Sequence, residues 1–356
     1  MYGITGKMKN KIIEKTNLWD YLKAQKKPVV LYGMGNGAEK VIRVCKYYGI
    51  KISGVFASDE FARGNSFCGF TVEKLSDIEK KYDDFIILLC FGAGYESLIR
   101  KIKDIASKYE LYAPDVPLFG EGLFTYEHFI NNYDKAEIVY NMLSDKRSKD
   151  VFCDIINYRI SGKIEYLFNC ETERAEIFNI IKPTENDVYI DAGAYNGDTV
   201  NEMVNKACGS MKKIFALEPD KRNYKKLCVN TDSFDFVEPI NAGAWSEKTV
   251  LTFSQRSGRN SAVCKEGKPT QMVNIDSLTE NATIIKYDVE GAEYEALLGS
   301  QKNITKNKPR LMVSLYHRTD DIFDLPLMIA NLNPDYKFFM RHHPYIPAWE
   351  TNLYAK

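Results

Sequence analysis

Along this chain, short continuous apolar runs alternate with segments of helical period. Pro28 to Tyr32 is a β-rich run that ends in Gly33-Met34-Gly35-Asn36-Gly37-Ala38. Glu39 to Tyr48 then reads as a helix, with Val41, Ile42, Val44 and Cys45 on its apolar side. Ile50 to Ala57 and Phe85 to Phe91 are further strands. The second of these is almost wholly apolar, as a strand covered on both faces should be. Ser97 to Tyr109 is the helix that follows, and Asn10 to Ala24 is an amphipathic segment read as helical. From Tyr126 to about Arg174 the pattern is helical throughout, with no glycine loop; Asp150 to Arg159 is one of its helices, and Ala175 to Ile181 another just beyond it.

The alternation then restarts. Strands are expected at Asp187–Asp191, Lys213–Glu218, Phe236–Ile240, Thr283–Asp288, Arg310–Tyr316 and Tyr336–Arg341, with helices at Thr199–Cys208, Asn223–Asn230 and Glu293–Gly299. Thr249 to Phe253 alternates like a half-exposed antiparallel strand. Strand alternating with helix predicts mostly parallel sheets that bind ligands at their carboxyl edges. The fold class is therefore α/β, with two Rossmann-like doubly wound domains joined by a helical segment. The expected boundaries are 1–125 for the first domain, 126–174 for the helical linker or cover, and 175–356 for the second domain.

Composition narrows the partners. The 356 residues are 45% hydrophobic and 27% charged, and 48 basic residues balance 48 acidic ones. Zero net charge argues against a protein whose partner is bulk nucleic acid or an anionic membrane. No apolar run approaches the roughly 20 residues of a membrane span, and Met1 to Lys15 is polar and lysine-rich, unlike a signal peptide. The eight cysteines, at 45, 68, 90, 153, 170, 208, 228 and 264, contain no CxxC pair. They read as small buried hydrophobes in a reducing cytoplasm rather than as a zinc or redox site.

The sharpest chemical signal is Asp191-Ala192-Gly193-Ala194-Tyr195-Asn196-Gly197-Asp198. An acid ends a strand, Gly193 permits a tight turn close to a ligand, and Gly197 lets a helix start beside it. Tyr195 stands where a dinucleotide fingerprint has its middle glycine, which favours S-adenosylmethionine (SAM) over NAD. Glu218, ending the next strand before Pro219, lies near the roughly 20-residue offset of a ribose-binding carboxylate. In Asn241-Ala242-Gly243, Ala242 and Gly243 would offer backbone groups beside an adenine.

Lys286-Tyr287-Asp288-Val289-Glu290-Gly291-Ala292-Glu293 places three carboxylates at the working edge of the sheet. Asp288 could act as general base, Asp288 and Glu290 could hold a divalent metal, or the acids could cap the helix that follows. His317, one of only four histidines, emerges at the same edge and is a second candidate base. Arg341-His342-His343 could grip an anionic or sugar-like acceptor, or could be a surface strand end.

These strings, together with Asn274-Ile275-Asp276-Ser277-Leu278, resemble in order and spacing the FkbM family of SAM-dependent methyltransferases over roughly residues 185 to 356. The resemblance implies a class I SAM methyltransferase fold. It also implies O-methylation of polyketides, glycans or related products, in bacteria often within cell-surface polysaccharide pathways. Asp191, Gly193 and Glu218 would bind SAM, with Asp276, Asp288 and Glu290 near the reaction centre.

The first half resembles the Rossmann-like N-terminal domain of sugar-nucleotide-modifying enzymes. Gly33-x-Gly35-x-x-Ala38 fits the glycine fingerprint, but the first acid after the second strand is Asp59, late for a ribose ligand.

The expectation is a cytoplasmic SAM-dependent methyltransferase acting on a hydroxyl of a small-molecule or glycan acceptor. Its catalytic residues would be Asp288, His317 and Glu290. Its cofactor residues would be Asp191, Gly193, Ala194, Gly197, Glu218, Pro219, Ala242 and Gly243, with no dedicated metal ligands. A homo-oligomer is left open. The alternatives are an NAD-dependent sugar oxidoreductase using the Gly33 loop and a non-catalytic binding or assembly module.

Overall fold

The computed structural model describes residues 8–253 and 268–356, so Cys264 and the start of the lysine-rich N-terminus lie outside the described residues. Strands β1 (Val29–Tyr32), β2 (Ile52–Phe56), β3 (Ser66–Phe67), β4 (Phe70–Glu73), β5 (Ile86–Leu89) and β6 (Glu110–Tyr112) form one sheet in the order β3-β4-β2-β1-β5-β6. All its pairings are parallel except the short β3–β4 pair. Every residue of β1 and β5 is buried, which accounts for their unbroken apolar runs. The first amphipathic segment is shorter than its pattern suggests. Its helix spans Leu18–Ala24, and Asn17 caps it by accepting from the Asp20 N–H.

The second half contributes β7 (Val188–Ala192), β8 (Lys213–Leu217), β9 (Val237–Ile240), β10 (Gly243–Ala244), β11 (Thr249–Phe253), β12 (Lys268–Val273), β13 (Ile284–Tyr287), β14 (Arg310–Ser314), β15 (Phe338–His342) and β16 (Thr351–Ala355). Seven of these make a sheet in the order β15-β16-β14-β13-β7-β8-β9, with β16 antiparallel to both neighbours and the other pairs parallel. That is the strand order of a class I methyltransferase fold. β11 is antiparallel to β12 in a separate three-stranded sheet.

The helical stretch between the halves is a shared layer. The Lys146–Ser161 helix is buried along most of its length. Asn157 donates to the Lys11 carbonyl on one side, while the Ser148 hydroxyl accepts from the Met340 N–H on the other. One apolar core runs from Val30 and Ile87, through Phe152 and Ile156, to Ile285 and Val313.

Arg341, His342 and His343 belong to this packing and not to a ligand site. The Arg341 guanidinium pairs with Asp145 at 2.7 Å and Glu176 at 2.8 Å, tying β15 to the helical layer. Burial pushes His342 down to about 3 and His343 down to about 4, so both are neutral. Among the described cysteines, Cys45, Cys90, Cys153 and Cys170 are buried as expected, whereas Cys68 and Cys208 are exposed.

Candidate active site

In a doubly wound sheet the chain winds first to one side and then to the other, leaving a crevice at the carboxyl ends of the two strands where the direction changes. In the second sheet those strands are β7 and β13; in the first they are β1 and β5. Both crevices open into one cleft of about 2210 Å³. Gly193, Tyr195, Glu218, Gly243, Asp288 and His317 line one wall, and Gly35, Asn36, Gly37, Phe91 and Gly92 line the other.

Gly193 is the pivot of the β7–β13 side. Its φ of +97° favours glycine, and a Cβ there would lie 1.9 Å from the Asp288 carbonyl oxygen. The loops after β7 and β13 can approach this closely only because residue 193 has no side chain. Asp191 does not face the cleft. It is fully buried and accepts from Thr199 Oγ1 and, at 3.1 Å, from Lys286 Nζ, which also donates to the Gly193 carbonyl. Asp191 therefore braces the loop after β7 through Lys286 and Thr199.

Gly197 caps the Asp198–Lys206 helix with φ +89°. A Cβ there would meet Leu227 and Thr231 at 3.1 Å, so its smallness serves helix packing rather than the cleft. Ala194 and Ala242 are buried and do not line the cleft; Ala194 spends its N–H on the Leu217 carbonyl.

Glu218 is buried at the carboxyl end of β8, and Pro219 lines the cleft beside it. Its carboxylate accepts from the Tyr195 N–H at 3.0 Å and the Asp220 N–H at 2.8 Å. Burial pushes it up to about 7, against the two backbone hydrogen bonds, which favour the charged form. Each oxygen retains acceptor capacity for a further donor. Exposed Tyr195 and the Asn241 amide, which donates to the Glu218 carbonyl at 2.9 Å, complete this corner.

Asp288 sits at the centre. Ser314 and Tyr316 each donate to its Oδ1 at 3.0 Å, and Lys286 Nζ is 3.7 Å from Oδ2. Burial opposes its charge, but Lys286, His317 and the two hydroxyls outweigh burial and hold it below the usual carboxylate range. His317 is 1% exposed, and its Nδ1 lies 2.8 Å from Glu293. Its Nε2 is 3.7 Å from Asp288 and 3.6 Å from Glu290. Burial works against the imidazolium, yet Glu293, Asp288 and Glu290 prevail and push it up to about 10. His317 is thus a cation at neutral pH, which removes it as the proton acceptor expected there.

Asp276 is not near this centre. It accepts from the Lys302 and Asn303 N–H groups and caps the helix Gln301–Asn307. Among the described residues no group of three or more His, Cys, Asp or Glu side chains is placed to hold a metal ion. The acids at Asp288 and Glu290 already face Lys286 and His317, so this donor set does not fit the metal alternative.

Two contributors carried no role in the sequence reading. Lys286 is one; its signal was a charged residue inside the otherwise apolar run Ile284-Ile285-Lys286-Tyr287, where burial demands a partner. Phe119 is the other. Its ring packs on Gly291 and stands edge-on to His317 at 5.9 Å, and its N–H donates to the His317 carbonyl. Nothing local in the sequence marks it.

The strand order of the second sheet, with its crevice between β7 and β13, is that of a class I methyltransferase fold. Residues 191–346 match the family model of the methyltransferase FkbM domain. The structure of the methyltransferase FkbM from Methylobacillus flagellatus KT aligns with a TM-score of 0.72 at 19% identity, over 99% of this chain and 94% of that one. The whole arrangement of two sheets and a helical layer is therefore a fold the two share.

Partial alignments include an rRNA methylase from Streptococcus thermophilus, with TM-score 0.33, 14% identity, and 51% and 92% coverage of this chain and that one. Aeropyrum pernix fibrillarin in complex with S-adenosyl-L-methionine aligns with TM-score 0.33, 14% identity, and 49% and 67% coverage. No curated protein matches the chain. Among the described residues no helix is long and apolar enough to cross a membrane.

Proposed function

We propose that this methyltransferase moves the methyl group of SAM to a hydroxyl on a sugar or glycan precursor. The observation that carries this reading is the trio at His317. Its Nε2 faces Asp288 and Glu290 at 3.7 and 3.6 Å, beyond hydrogen-bond length, leaving a position between a cation and two acids that suits a hydroxyl. Glu218 would accept the ribose hydroxyls of SAM, Gly193 would give its chain close passage, and Gly243 and Pro219 would border the adenine. When bound, SAM supplies an electrophilic methyl on a sulfonium.

Methyl transfer from SAM would break its carbon–sulfur bond as the carbon–oxygen bond forms, with S-adenosylhomocysteine as the leaving thioether. The acceptor oxygen becomes positive as it attacks, so its proton grows acidic enough for a carboxylate to take. Asp288, kept ionised by Lys286, Ser314, Tyr316 and His317, receives that proton. His317 and Glu290 position the hydroxyl, and holding the reactants in line supplies much of the rate. A cytoplasmic setting fits the free buried thiols.

The test is binding of S-adenosylhomocysteine to wild type and Glu218→Ala, followed by transfer of labelled methyl from SAM to a panel of sugars and sugar nucleotides. Tight binding lost in the variant, with label on a sugar oxygen, is the expected result. Equal affinity in both proteins would sink the ribose assignment, and label on nitrogen would sink the acceptor class.

A further inference from the structure

The cleft is larger than one small ligand needs. Pockets for drug-sized ligands hold roughly 300–1,000 Å³, and this one reaches about 2210 Å³. The cleft extends to the first sheet, at the crevice between the carboxyl ends of β1 and β5, where residues 35–37 and 90–92 line it. The two halves are stitched together beside it. Ala93 and Ile346 exchange backbone hydrogen bonds at 2.7 and 3.0 Å.

Tyr345 and Trp349 come from the methyltransferase half and rest on the Gly92 backbone. A Cβ there would meet Trp349 at 2.6 Å and Tyr345 Oη at 2.5 Å. Both rings are half-buried in the cleft wall.

Arg318, exposed and immediately after His317, lines the same cleft. Arg174 and Lys286 line the same cleft already paired, with Glu202 and Asp191. Arg318 is different. Its Nε donates to the Gly291 carbonyl at 2.7 Å, and among the described residues no carboxylate lies within ion-pair distance of its guanidinium. A cation left unpaired beside the reaction centre, in a cleft with aromatic walls, suits a ligand with a ring and an anionic group.

We infer that the first sheet's crevice, with Arg318, Tyr345 and Trp349, is the acceptor's second foothold, and that the acceptor carries a phosphate or carboxylate beyond the sugar that is methylated. This rests on the proposed function for the meaning of the other half of the cleft. The first half of the chain is then part of the substrate site rather than an appendage to it.

Calorimetry on the full chain tests this, first with S-adenosylhomocysteine and then, on the loaded protein, with UDP, pyrophosphate and glucuronate. UDP or pyrophosphate should bind alongside S-adenosylhomocysteine and lose at least about tenfold in affinity in Arg318→Ala. Gly35→Asp should do the same without disturbing the fold, since a Cβ at residue 35 meets nothing within 4 Å. Glucuronate binding alone, lost in the same variants, would support the same foothold with a carboxylate as its anion. Failure of all three probes to bind the loaded protein, binding indifferent to both variants, or displacement of S-adenosylhomocysteine would overturn the inference. If S-adenosylhomocysteine itself does not bind, the proposed function fails separately, and the probes can still be measured on the unloaded chain.

Discussion

The two sheet edges facing the cleft have the same ground plan and opposite chemistry. Each carries a glycine whose missing Cβ makes room for a neighbouring backbone carbonyl: a Cβ on residue 193 would lie 1.9 Å from the Asp288 oxygen, and one on residue 37 would lie 2.2 Å from the Cys90 oxygen. Behind Gly193 lie Asp191, Lys286, Asp288, His317 and Glu293, a chain of charges sharing one interior. Behind Gly37 lie Cys90, Leu88 and Val41, with no charge among them. The winding of the sheets creates a crevice at both edges, and this chain of charges stands behind only one of the two glycines. Fold and chemistry are separable here, so changes at the two edges should fail in different ways.

The largest expected effect is at Asp288. Asp288→Asn keeps the shape but removes the proposed proton acceptor, and methyl transfer should fall by about 10²–10⁴-fold, measured as initial rate at saturating SAM. A variant retaining full rate would put the proton elsewhere. No polar change at the opposite edge, such as Cys90→Ser, should approach that loss of rate.

Next comes Lys286, which is nearly buried and offsets two acids. Lys286→Met leaves Asp191 charged and without its cation, which should cost about 3–5 kcal/mol of stability in denaturant unfolding. A loss under about 1 kcal/mol would mean that Thr199 alone satisfies Asp191.

The paired glycines sharpen the contrast. Gly193→Ala and Gly37→Ala both force a methyl into a backbone carbonyl, and each should lose about 1–3 kcal/mol. Only Gly193→Ala should also weaken S-adenosylhomocysteine binding by more than tenfold, because it displaces the loop that Asp191 and Lys286 hold. Equal damage to cofactor binding from both would show that the edges are mechanically one unit.

Much of this was legible from spacing. The strands at Val188–Ala192 and Lys213–Leu217, the antiparallel Thr249–Phe253, and Glu218 facing the cleft followed from apolar runs that end in turn residues. β16 was not read, because Thr351–Ala355 is a short terminal segment whose pairing with β14 and β15 is decided by tertiary contact. Asp191 was read as a ligand group because its place at a strand end is visible, whereas its partner lies 95 residues away on Lys286. His317 was read as a base because an isolated histidine titrates near neutral pH, while the acids that keep it charged converge only in the fold. Arg341-His342-His343 looked like a basic patch because sequence does not show that Asp145 and Glu176 would cover it.

The smallest effect tests the proposed cofactor corner by its own titration. Glu218 sits at about 7 because burial disfavours its charge. A carboxyl raised in the folded state contributes stability that is fully present below its ordinary value near 4.5 and is lost as pH rises through 7. Ribose hydroxyls donating to Glu218 would favour the ionised form, so binding should release a proton around neutral pH. Affinity for S-adenosylhomocysteine should therefore rise between pH 6 and pH 8 by up to about tenfold. Calorimetry in buffers of different ionisation enthalpy would detect the released proton. His317 does not blur the result, because at about 10 it stays charged across that range. Glu218→Gln should bind more weakly and show no such slope. A slope that persists in Glu218→Gln would assign the titration to another group and leave Glu218 as a purely structural acid at the end of β8, as bland as the residues at the opposite edge.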